Sequence, residues 1–133
     1  MKRSIRVADC MNRDFLTLDP EMDVLRAGKL LIKHDISGAP VLDKHGRLVG
    51  MLTERDCLRV TLYAGYHGEP GGLVRDYMSP DPVTVKPDDT IFDLAERFID
   101  NKYRRYPVLD GGRLVGLISR RDVMRAVGHH YPK

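Results

Sequence analysis

The chain has no tryptophan, few aromatic residues (7%) and only two cysteines among its 133 residues. No apolar run approaches the ~20 residues needed to span a bilayer, and none follows the basic start Met1-Lys2-Arg3, so neither a membrane span nor a secretory leader is expected. Acidic and basic residues nearly balance, with a net charge of +3, and no block of like charge is long enough to track a nucleic-acid backbone. The expected setting is therefore cytoplasmic, with no nucleic-acid or membrane partner. Cys10 and Cys57 are too few and too far apart for a zinc site and read as buried reduced thiols. His34, His45 and the His129-His130 pair lie at a helix end, in a turn and in a Pro-ended tail where fraying is expected; no metal is assigned to them. No Walker-type glycine loop and no Ser, His and Asp constellation is present.

What the chain does have is repetition. Pro40-Val41-Leu42-Asp43, Gly46-Arg47-Leu48-Val49-Gly50 and Thr53-Glu54-Arg55-Asp56 return as Pro107-Val108-Leu109-Asp110, Gly112-Arg113-Leu114-Val115-Gly116 and Ser119-Arg120-Arg121-Asp122. Met11 matches Met78 and Pro20 matches Pro87 at a spacing of 67, which falls to 66 where Gly111 replaces Lys44-His45. Such self-similarity marks an internal duplication. Cys10 and Cys57 break it, since Tyr77 and Val123 stand at the matching places. A unit of about 60 residues buries a marginal core alone, so two copies in one α+β domain are expected.

Each copy reads strand, helix, strand, strand, helix, behind a short amphipathic lead-in (Ile5 to Met11, Val74 to Met78). Phe15 to Leu18 and Val83 to Val85 suit strands stopped by Pro20 and Pro87. Asp23 and Thr90 stand at helix N-cap positions. Behind them Val24, Ala27, Gly28, Leu31 and Ile91, Leu94, Ala95, Phe98 carry the spacing of one apolar helix stripe, predicting helices over 24–34 and 91–101. Hairpins follow, with Asp43 to Gly46 as the first turn and the tighter Asp110-Gly111-Gly112 as the second. Thr53 and Ser119 open last helices to about Tyr63 and Val127. The boundaries are 7–63 for the first copy and 74–130 for the second. The glycine-rich 64–73 reads as a linker, not a continuing helix, with Tyr63, Tyr66 and His67 packing over a sheet edge.

The closing Thr53-x-x-Asp56 and Ser119-x-x-Asp122 fit a capping box, a purely structural role. Taken with Met11 and Met78, the prolines Pro40 and Pro107, and Gly50 and Gly116, they make nearly the whole chain resemble a tandem pair of CBS domains, the cystathionine beta-synthase type module. The resemblance implies two β-α-β-β-α copies packed sheet to sheet, a homodimer, no catalysis and no required cofactor, and clefts between the copies for adenosine-containing ligands. It places ribose hydroxyls on Asp56 and Asp122. Adenine would meet Ile36-Ser37-Gly38-Ala39 in one copy and Tyr103-Arg104-Arg105-Tyr106 in the other, with Val83 nearby.

Phosphate would approach the helix N-termini opened by Thr53 and Ser119, where free N–H groups and the helix dipole favour anions. Arg120 and Arg121 face it in the second copy, Glu54 and Arg55 in the first, so a phosphorylated ligand is expected to prefer the second. The sequence does not choose among AMP, ADP, ATP, S-adenosylmethionine and NAD. Two rival readings stay open: an association module that dimerises or binds a protein target without any nucleotide, and an enzyme using Asp56 and Asp122 as acid and base, against which their duplicated cap setting argues.

Overall fold

The computed structural model describes residues 5–68 and 71–130, with the backbone alone for 65–67 and 130. Its elements are α1 (Val7–Cys10), α2 (Val24–Lys33), β1 (Gly38–Leu42), β2 (Leu48–Thr53), α3 (Glu54–His67), α4 (Val74–Tyr77), β3 (Ser79–Pro80), α5 (Ile91–Asp100), β4 (Arg105–Asp110), β5 (Arg113–Ser119) and α6 (Arg120–His130). They form two compact units, one of residues 16–82 and one of 1–15 with 83–133.

The units and the sequence copies are thus different sets of residues, because the lead-ins are exchanged. In the first unit α4 and the residues just before it supply the three bonds Val24 N–H to Gly72 C=O, Val74 N–H to Met22 C=O and Arg75 N–H to Pro20 C=O, at 3.0, 2.9 and 3.0 Å. In the second unit α1 and Ile5 just before it make the matching three, Ile91 N–H to Ile5 C=O, Val7 N–H to Asp89 C=O and Ala8 N–H to Pro87 C=O, at 3.0, 2.8 and 3.0 Å. Val74 is accordingly buried in the core with Val24, Leu31 and Leu52, and Val7 in the core with Ile91, Phe98 and Ile118.

Glycine permits the exchange to close tightly. Met78 lies over Gly50, and Met11 over Gly116; a Cβ built on Gly50 would sit 2.5 Å from the Met78 sulfur, and one on Gly116 2.6 Å from that of Met11. Beside these contacts β3 pairs with β2 (Met51 opposite Ser79, Gly50 opposite Pro80), while in the other unit Asn12 makes only one bridge, to Leu117.

Helix signals in the sequence are realised closely. Asp23 accepts the Leu25 N–H at 3.1 Å to cap α2, and Thr90 accepts that of Asp93 at 3.2 Å to cap α5. Their apolar stripes bury Val24, Ala27 and Leu31, and Ile91, Leu94 and Phe98; each fully buried Val, Leu, Ile or Phe side chain contributes about 1.5–3 kcal/mol. Hairpin β1–β2 and hairpin β4–β5 share the same register shift, at Val41/Leu42 and Val108/Leu109. Gly111 and Gly112 have φ of 59° and 82°, the two positive values that a two-residue turn matched to strand twist requires.

Three expectations need correction. Phe15 to Leu18 and Val83 to Val85 are not regular strands: each makes one parallel bridge, Leu18 to Val41 and Val85 to Val108, before its proline removes the next donor. The segment 64–67 continues α3, which ends at Gly68 with φ of 80°. One glycine, Gly65, is tolerated inside a helix, whereas the left-handed Gly68 stops it. The tail does not fray before His130, since α6 carries both His129 and His130. Side-chain packing of Tyr66 and His67 lies outside the described residues; Tyr63 is half exposed.

Candidate functional site

Both units end a hairpin in the same polar knot. In the first, Asp56 Oδ2 accepts the Thr53 N–H at 2.9 Å and the Thr53 hydroxyl at 3.0 Å, and Thr53 Oγ1 accepts the Asp56 N–H at 3.2 Å. In the second, Asp122 Oδ2 accepts the Ser119 N–H at 2.8 Å and hydroxyl at 3.0 Å, and Ser119 Oγ accepts the Asp122 N–H at 3.2 Å. The capping boxes are therefore formed, and they occupy only one oxygen of each carboxylate.

The other oxygen faces an arginine one turn on. Arg59 donates to Asp56 Oδ1 at 3.2 Å, and Arg125 to Asp122 Oδ1 at 3.1 Å. Both guanidinium side chains are well exposed, at 59% and 71%, so solvent screens these pairs and the arginines can swing away at small cost. The carboxylates differ in access: the Asp56 side chain is 5% exposed and that of Asp122 17%. Asp122 and Arg125 also line an open groove of about 530 Å³ with Asp9, Cys10 and His129. Sequence reasoning missed Arg59 and Arg125, although Asp-x-x-Arg is a helical spacing that brings the two groups together.

The segment ahead of each β1-type strand is tied to the same helix start. Ser37 C=O accepts the Glu54 N–H at 2.9 Å, and Arg104 C=O accepts the Arg120 N–H at 3.2 Å. The next N–H of each helix, on Arg55 and Arg121, makes no hydrogen bond among the described residues. Each helix start thus offers an N–H with no partner among the described residues, as helix N-termini that suit anions do.

Of the residues singled out in the sequence, the structure brings together Ser37, Thr53 and Asp56 in one unit, and Arg104, Ser119, Arg120 and Asp122 in the other. Ile36 and Ser37 are partly buried; Gly38 and Ala39 are buried strand residues, with Ala39 in the core. Tyr106 is likewise a core residue at 1% exposure. Its ring lies 4.8 Å from that of Phe98 and 5.7 Å from that of Tyr103, with the Arg97 guanidinium 5.9 Å from its centroid. Burial pushes the Tyr106 phenol above its ordinary value. Tyr103 and Val83 are 42% and 46% exposed. Arg104 and Arg121 are exposed and form no ion pair among the described residues, and Arg105 is partly buried.

Arg120, expected to face a phosphate, has its side chain on backbone carbonyls in this structure. Its Nε donates to Tyr103 C=O at 3.1 Å and its Nη2 to Lys102 C=O at 3.4 Å. Among the described residues no three His, Cys, Asp or Glu side chains cluster to hold a metal, and no helix is long and apolar enough to cross a membrane. Burial, then the charges of Asp122 and Asp9, push the Cys10 thiol up to about 11; burial and Asp56 also raise Cys57.

These knots lie within the duplicated segments that the CBS domain family model matches twice, at residues 7–63 and 74–129. The chain belongs to the CBS domain family. It is 30% identical over 122 residues to the uncharacterized protein MJ1225 of Methanocaldococcus jannaschii, covering 92% of this chain and 42% of the relative. To an inosine-5'-monophosphate dehydrogenase of Korarchaeum cryptofilum it is 36% identical over 121 residues, covering 90% and 24%. The chain therefore spans less than half the length of these two relatives.

Among solved structures, CBSX2 in complex with AMP superposes with a TM-score of 0.85 at 28% identity, over 96% of this chain and 98% of that one. CBSX2 is from Arabidopsis thaliana. The CBS domain pair of MJ0100, in complex with 5'-methylthioadenosine and S-adenosyl-L-methionine, gives 0.81 at 26% identity over 96% and 99%. The α+β fold of a CBS pair is thereby established.

Proposed function

We propose that this CBS pair is a regulatory ligand-sensing module that binds an adenosine-containing nucleotide and catalyses nothing itself. The observation that carries the reading is the polar knot of the second unit. Among the described residues Asp122 keeps one oxygen outside its capping box, held by the exposed Arg125, and the residue lines an open groove. Two ribose hydroxyls would replace that guanidinium on Oδ1, and the free N–H of Arg121 would meet phosphate. AMP on CBSX2 and adenosyl ligands on the MJ0100 pair support the ligand class.

The second unit is the preferred site for a phosphorylated ligand. Arg104, Arg105, Arg120 and Arg121 stand where the first has Ser37, Gly38, Glu54 and Arg55, and Asp56 is the more enclosed carboxylate. AMP, ADP or ATP is the ligand favoured over S-adenosylmethionine or NAD. Occupancy acts only by binding one arrangement of the module better than another, and is passed on to a protein target by a cytoplasmic homodimer. Exposed Leu58 and Leu62, one turn apart on α3, and Met124 at the matching place on α6 favour association as part of the function, and as the whole of it if no nucleotide binds.

A thermal-shift panel of the five ligands on wild type and Asp122→Ala tests the reading. A ligand at 100 times its dissociation constant adds about 2.7 kcal/mol to the folded state. A shift of several degrees with a phosphorylated adenosine, lost in the variant, is expected. No shift at millimolar concentration for any of them refutes the sensor and leaves the association module.

A further inference from the structure

Arg120 has been described as one of four arginines at the second knot, but its bonds set it apart. Its backbone N–H holds Arg104 C=O, its Nε holds Tyr103 C=O and its Nη2 reaches Lys102 C=O, at 3.2, 3.1 and 3.4 Å. Three successive carbonyls of the segment entering β4 are thus gathered by one residue. The Nε–Nη2 edge is a guanidinium's fork, the geometry by which it grips two oxygens at once, and here it is spent on backbone. In the first unit Glu54 fills the position; its backbone N–H holds Ser37 C=O at 2.9 Å, but a carboxylate cannot donate the side-chain bonds that Arg120 makes.

The segment being held is the one that departs from the first copy. Tyr103 is 42% exposed, yet its ring packs tilted at 58°, 5.7 Å from that of the buried Tyr106, which continues to Phe98. Anchoring the Tyr103 carbonyl fixes where that half-exposed ring stands. From these contacts we propose that Arg120 is a positioning residue. It splints residues 102–104 onto the start of α6 and fixes Tyr103 at the edge of the second site, so the phosphate is left to Arg121 and Arg104. The inference rests on the nucleotide reading for its ligand, but the splint exists without one.

Arg120→Lys and Arg120→Met separate splint from charge, because lysine keeps the charge but replaces the rigid planar fork with a point charge on a flexible stem. Hydrogen exchange of the ligand-free protein is expected to show the amides of residues 103–106 opening roughly three- to tenfold faster in both variants, the loss of one or two modest hydrogen bonds. Unchanged exchange overturns the proposal. Calorimetric titration with adenosine and with AMP gives the second readout: affinity for both is expected to fall by a similar factor in both variants. Arg120→Lys binding like wild type while Arg120→Met loses AMP alone would make Arg120 a phosphate ligand and refute the splint. If wild type binds neither, the nucleotide reading fails, and hydrogen exchange still decides the role of Arg120.

Discussion

Replacing Asp56 with alanine removes a carboxylate that is the hub of a closed network. Lost are the bonds from the Thr53 N–H and hydroxyl, at 2.9 and 3.0 Å, and the pair with Arg59 at 3.2 Å. Thr53 still caps the N–H of residue 56, so losing the reciprocal half of the capping box costs about 1 kcal/mol, and a partly buried N–H left without an acceptor about 1–3 more, whereas the Arg59 pair is exposed enough to add little. The sum is about 2–4 kcal/mol. Asp122→Ala breaks the same bonds, but its side chain is 17% exposed against 5%, and water can replace the acceptor there. Its cost is about 1–2 kcal/mol. For a chain of this size 1 kcal/mol moves the melting temperature by roughly 3–5 °C, so Asp56→Ala should melt about 6–20 °C low and Asp122→Ala about 3–10 °C low. Thermal melts followed by circular dichroism measure both. Equal losses, or a larger one for Asp122→Ala, would refute the argument that enclosure of the knot sets its energetic weight.

Gly50→Ala places a Cβ 3.0 Å from the backbone oxygen of Ser79 as well as against Met78, and should destabilise by about 1–3 kcal/mol in urea unfolding; Gly116→Ala, 3.2 Å from Asn12 oxygen, should cost less. Cys10, with its thiol near 11, should alkylate at pH 8 about a hundredfold more slowly than a thiol at 9.0, and Asp122→Asn should speed it by removing a charge that raises it. Asp43 accepts the N–H groups of Arg47 and His45, and the Arg47 backbone bond leads in holding its carboxyl below 3.8. A depressed folded value contributes stability above the unfolded one that is lost as pH falls through it, so the gap in melting temperature between wild type and Asp43→Asn should shrink below about pH 4.

Much of this was legible in the residues, and the rest was withheld for physical reasons. Caps, apolar stripes, hairpins and the tight Gly111-Gly112 turn depend on near neighbours in sequence, and each appears where its signal stands. The exchange of lead-ins has no such signal. Met11 and Met78 are alike, as are Gly50 and Gly116, so either lead-in satisfies either copy and periodicity cannot say which it joins. The leading strands failed because a single bridge leaves the same apolar pattern as a ladder. Asp56 and Asp122 were picked out as site residues and capping residues alike. What spacing could not tell was that Oδ2 serves the cap while Oδ1 is left to an arginine. That Arg120 also holds backbone carbonyls has no local signal, since its partners lie 17 and 18 residues away.

Duplication explains why one carboxylate can hold two roles without conflict. A capping box needs an acceptor for one N–H, and an aspartate has two oxygens at fixed separation, so the second is unavoidably presented beside the helix N-terminus. The fold therefore makes a polar, anion-favouring corner in every copy as a by-product of ending a hairpin in a helix. What separates the corners is chosen by only a few positions: Glu54 against Arg120, and Ser37-Gly38 against Arg104-Arg105. Those substitutions change charge and rigidity but leave the register of β1–β2 and β4–β5 alike. Ligand preference can then drift in one copy while the other keeps the core intact. The two knots should accordingly differ more in affinity than in structure.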